Sequence, residues 1–69
     1  MAKILIQSDV PERVYVRQTR VYCRGWRFGL VKDPSDATAF RNRYAASFGL
    51  GLVSRVIMRE FKVVQVPSP

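Results

Sequence analysis

Runs of β-branched and aromatic side chains, punctuated by turn formers, dominate the first half of the chain. Lys3 to Gln7 is Ile/Leu-rich and stops at Ser8-Asp9-Val10-Pro11, where turn residues and a proline without an N–H end any ladder, so this stretch predicts a strand. Arg13 to Cys23 carries Val14, Tyr15, Val16, Thr19, Val21 and Tyr22, side chains that fit a pleated surface better than a helix, and predicts a second strand. Trp26 to Val31 predicts a third. Between them Arg24-Gly25 reads as a two-residue hairpin loop, with Gly25 supplying the positive φ of a tight turn.

The pattern then changes. Asp33-Pro34-Ser35-Asp36 sets a capping acid before a proline suited to a first helical turn, with a second acid near the positive end of the helix dipole. This predicts a helix from Ser35 to Phe48, with Ala37, Phe40, Tyr44 and Phe48 on its buried face and Gly49 closing it in the left-handed conformation. Gly49-Leu50-Gly51 follows a helix instead of preceding one, so it reads as a cap and not as a phosphate-cradling loop. Leu52 to Val66 predicts a long last strand, bulged near Arg59 to Phe61 where the alternation falters. The order is β-β-β-α-β and the fold class α+β: a single helix on a three- to four-stranded, mainly antiparallel sheet. One domain spans 1–66, and Pro67-Ser68-Pro69 forms a loose tail.

Composition narrows the chemistry. The 69 residues hold 12 Lys+Arg, 5 Asp+Glu and no His, a net charge of +7, with 48% apolar residues. That apolar content is too high for a disordered basic tail. The absence of His, the scatter of the carboxylates Asp9, Glu12, Asp33, Asp36 and Glu60, and the lack of a cofactor fingerprint argue for binding and against catalysis. A lone cysteine, Cys23, gives no disulfide partner and no metal ligand set, and it reads as a small buried hydrophobe; neither metal nor cofactor is expected. With no apolar run long enough to cross a bilayer, the chain reads as cytoplasmic and without a membrane partner.

The candidate site follows from the hairpin. If Cys23 opposes Trp26 across a two-residue turn, Val21, Cys23, Trp26, Phe28 and Leu30 share the core face, and Gln18, Arg20, Tyr22 and Arg27 share the open one. An open sheet face alternates charged and apolar residues even without a partner. An excess of seven positive charges, however, repels itself and asks for an acidic counterpart. The binding residues are Arg20, Tyr22 and Arg27, joined by Arg17 and Arg24 of the same hairpin, Arg41 and Arg43 on the helix, and Arg55 and Arg59 on the last strand. Guanidinium forks match phosphate oxygens and aromatic rings stack on bases, and 9 of the 12 cations are Arg. Trp26 reads either as core or as an exposed stacking anchor.

The string from Ser35-Asp36-Ala37 through Tyr44 to Gly51 and Arg55-Val56, with one helix before a last strand, resembles small βαβ ribosomal proteins of archaea and eukaryotes. It resembles small podoviral inhibitors of host RNA polymerase equally well. Each resemblance covers at most half the chain, and no functional residue is carried over from either. The expected function is nucleic-acid binding, RNA or ribonucleoprotein ahead of DNA because no helix-turn-helix or basic-helix signature is present. The alternative is a small phage-encoded or regulatory inhibitor or adaptor that docks its basic face on an acidic surface of a polymerase or nuclease.

Overall fold

The computed structural model describes residues 2–67. Strand β1 (Ala2–Ser8), β2 (Val14–Val21) and β3 (Gly25–Val31) precede helix α1 (Arg43–Val56), and β4 (Lys62–Pro67) closes the chain. The strands form one antiparallel sheet in the order β3-β2-β1-β4, so the fold is α+β with one helix packed on four strands. Pro67 therefore belongs to β4, opposite Ala2, and not to a tail; Ser68 and Pro69 lie outside the described residues.

The helix begins eight residues later than its sequence signal suggests. Asp33 does cap, its carboxylate accepting the Ser35 N–H at 2.9 Å, but the turn it starts is a single 3-10 turn, Pro34–Asp36. Tertiary bonds then take the chain away from helical geometry. Thr38 donates its N–H to Val16 O, its Oγ1 accepts from Gln18 N at 2.7 Å, and Phe40 N–H reaches Ile4 O at 2.9 Å. These residues wedge between β1 and β2, which pair directly only through Gln7–Tyr15 and Ser8–Val14. Backbone groups that a splayed pair of strands would leave bare are satisfied by the wedge.

Asn42 is the effective N-cap of α1, accepting the Ala45 N–H at 2.8 Å. The buried side of α1 is Ala46, Gly49 and Val53, extended by Leu50 and Ile57, which is a helical spacing. Gly49 lies inside the helix and is not its cap. A Cβ there would stand 2.9 Å from Gln18 Oε1 and 3.1 Å from two ring carbons of Phe40, so glycine is what lets α1 approach the sheet. Tyr44 and Phe48, expected in the core, are 87% and 67% exposed because the later start of α1 rotates them outward.

Ile6, Val16 and Val53 form the core, with Phe28, Phe40, Leu50, Ile57 and Phe61 packed around them. The expected long last strand is two elements: Leu52 to Val56 completes α1, and only Lys62–Pro67 is extended. Arg55 is thus helical, and Arg59 lies in the connection.

Candidate nucleic-acid interface

The β2–β3 ladder runs through seven residue pairs, from Tyr15–Val31 to Val21–Gly25. β1 pairs with β2 only at Val14 and Tyr15, and Thr38 holds the hairpin as far as Gln18, so beyond the Gln18–Phe28 pair it continues as a two-stranded ribbon. Its turn is Tyr22-Cys23-Arg24, three residues instead of two, closed by the Arg24 N–H on Val21 O at 3.0 Å. Cys23 and Gly25 both take positive φ, 59° and 83°. Cys23 is exposed in this turn and is not a buried hydrophobe.

The longer turn inverts β2 relative to the two-residue register. Trp26, Phe28 and Leu30 do face the helix side, but they oppose Arg20, Gln18 and Val16 and not Cys23 and Val21. Arg20 therefore shares the helix-side face with Trp26, its guanidinium 5.8 Å from the ring centroid. Arg27 lies on the opposite face, paired with Thr19 and diagonal to Arg17, whose own partner is the bare backbone of Gly29. Tyr22 stands at the tip, 92% exposed. Arg20, Tyr22 and Arg27 are thus not one cluster on one face. With Arg17 and Arg24 they surround a single arm, cations on both faces and at the end.

The other candidate arginines lie apart from the arm. Arg43 opens α1 and Arg55 falls in its last turn, about 18 Å along the axis at 1.5 Å per residue. Arg41 precedes the helix and is exposed. Arg59 is committed internally: its Nε donates to Ser8 Oγ at 3.0 Å and a terminal nitrogen donates to Glu12 O at 2.8 Å, which fastens the β1–β2 turn to the end of α1.

Charge is sorted along the molecule. The ion pairs among the described residues are Arg13–Asp9, Lys62–Asp9 and Lys32–Glu12, all near the β1–β2 turn. Residues 14–31 contain Arg17, Arg20, Arg24 and Arg27 and no acid. Hydrogen bonds from the Lys62 ammonium first, then from Gln7 and Arg13, lower the Asp9 pKa from 3.8 to about 2. The Ser35 backbone N–H lowers that of Asp33.

No known protein family, curated protein or solved structure matches this chain. Function must be argued from the site itself. Sequence reasoning missed the Arg20–Trp26 pair, whose signal was the turn length; a glycine that starts a strand after a three-residue turn fits Gly25 as well as one inside a two-residue loop.

A folded pKa below the ordinary value means that the Asp9 contribution to stability is complete above 3.8 and is lost as the pH falls through about 2. Urea midpoints measured across that window should drop for the unmodified chain and stay flatter for Asp9→Asn. Added salt should narrow the difference, since the pair is partly exposed.

Proposed function

We propose that this protein is a non-enzymatic nucleic-acid-binding protein that inserts its β2–β3 arm into structured RNA. The observation that carries the reading is an arm with four arginines, no acid and no ion pair among the described residues. Unneutralised charge concentrated on a projecting ribbon costs self-repulsion, and a polyanion removes that cost. A flat acidic surface calls for cations on one face of the ribbon. Cations on both faces suit a groove, where phosphates line two walls. A two-stranded ribbon has the width of a B-form major groove; the A-form major groove of RNA is too narrow until a bulge opens it, and the ring of Tyr22 at the tip suits the unpaired base found there. The unpaired base favours RNA with a bulge or loop over continuous duplex DNA.

Fluorescence anisotropy with a labelled RNA stem-loop carrying a bulge, against the same stem without it and the matching DNA duplex, tests this. Saturable binding is expected, tightest for the bulged RNA. Four arginine contacts should give a log affinity against log salt slope of about −3, at roughly 0.7 to 0.9 per neutralised phosphate. No binding to any of the three at low salt, or binding lost with Arg41, Arg43 and Arg55 but not with the arm arginines, overturns the reading.

A further inference from the structure

One helix is too narrow for this sheet. Strands stand about 4.8 Å apart and a helix is about 10 Å across, so α1 covers roughly two strands. It lies on β1 and β4. Gly49 meets Gln18 of β2, so the flank of α1 that carries Phe48, Leu52 and Val56 at intervals of four is turned toward the uncovered half. On that half Trp26, Phe28 and Leu30 lie on the same side as the helix, Phe28 half-buried against the core and the other two exposed. The result is an apolar channel beside α1, walled by Phe48, Leu52 and Val56 and floored by Trp26, Phe28 and Leu30, with Trp26 45% exposed and Phe48 and Val56 both 67%.

We infer that this channel receives an acidic amphipathic helix from a partner protein, lying alongside α1 as a second helix on the sheet. The room lies over β3 and the outer part of β2, because Val16 is fully buried, Gln18 lies under Gly49 and Phe28 packs on the core, while Trp26, Leu30 and the Phe48 flank of α1 are exposed. The apolar floor and wall ask for an apolar stripe at helical spacing. Charge selects the flanks: α1, β2 and β3 hold no carboxylate, and while Arg17 and Arg27 lie on the far face of the sheet, Arg20, Arg43 and Arg55 lie on the helix side. Of these, Arg20 flanks the Trp26 end of the floor and Arg55 follows the Phe48 side of α1. A second copy of this chain would bring its own Arg20 and Arg55 to the contact and no carboxylate to meet them, which weighs against self-association. The channel shares Arg20 and Trp26 with the helix-side face of the arm but not Arg17 and Arg27 on the other face, so changing that pair separates the two sites.

The probe is a fluorescein-labelled 16-residue peptide with leucines spaced three and four apart and glutamate elsewhere, compared with a twin in which every glutamate is lysine. Saturable one-to-one binding of the acidic peptide is expected, at least tenfold tighter than the twin. Phe48→Ser and Leu30→Thr, which leave net charge unchanged, should each weaken it at least tenfold, whereas Arg17→Gln with Arg27→Gln should change it less than threefold. Far-UV circular dichroism confirms that each variant is folded, and exposed Phe48 serves if Leu30→Thr is not. Amide and Trp26 indole shifts on titration should map to β3 and the Phe48 flank. Failure of the acidic peptide to bind, equal binding to the Phe48→Ser variant, or a dimer in sedimentation that Phe48→Ser dissociates overturns the inference, the last by showing that a second copy takes the channel. RNA binding through the arm is measured separately and stands or falls on its own.

Discussion

Phe40→Ala is expected to remove a third or more of the stability of the fold, while Phe40→Leu weakens it less. The Phe40 ring packs against the Ile6, Val16 and Val53 core and fills the space that Gly49 leaves open. Its N–H also holds Ile4 O across the gap between β1 and β2. Removing a fully buried phenyl ring costs about 3–5 kcal/mol, and for the half-buried Phe40 the lower end, about 3 kcal/mol, is expected. A domain of this size has a total stability of only about 3–10 kcal/mol, at roughly 0.05–0.15 kcal/mol per residue. Loss of the ring also loosens the wedge that braces the hairpin through Thr38 and Gln18. Urea unfolding followed by circular dichroism reads the effect, and a loss below about 1 kcal/mol would show that the wedge does not depend on this ring.

The same residue shows what the chain did and did not disclose. Phe40 was legible as core, since it is apolar and stands in a stripe with Ala37. Its placement in a helix was wrong because the local signals of Asp33-Pro34-Ser35 compete with bonds that exist only once the sheet has formed, those of Thr38 to Val16 and Gln18. Local propensity is a weak prior against such tertiary bonds. The true helix was marked by Asn42 as a cap and by the spacing of Leu50, Val53 and Ile57, but two glycines and the density of Val and Ile there favoured a strand by composition. Periodicity was the better guide.

For the candidate site, the hairpin and its arginines were legible, and the face each arginine occupies was not. Strand parity depends on one number, the residues in the turn. Three in place of two moved Arg20 to the helix side and left Arg27 behind. Arg59 was indistinguishable by sequence from a free cation, because its partners, Ser8 and the carbonyl of Glu12, lie about fifty residues away.

Changing Arg17, Arg24 and Arg27 together to glutamine is expected to weaken RNA binding roughly 100-fold at about 0.1 M salt and to flatten the salt slope by about 2, at roughly 0.7 per contact. All three side chains are exposed. Such surface changes usually shift stability by less than about 0.5 kcal/mol each, so the variant should unfold near the unmodified chain. Two single variants separate charge from the other contributions. Tyr22→Ala should weaken binding through lost stacking, about 1–3 kcal/mol, with the slope unchanged. Arg59→Ala should do the reverse: it removes two charge-assisted hydrogen bonds, each worth about 1.5–3 kcal/mol, and lowers the unfolding midpoint while the salt slope of the folded fraction stays the same. The contrast turns on geometry, since Arg59 spends its guanidinium inside the fold and the arm arginines hold theirs in solvent. A slope that falls as far with Arg59→Ala as with any one of the arm arginines would place the bound polyanion at the β1–β2 turn and not on the hairpin.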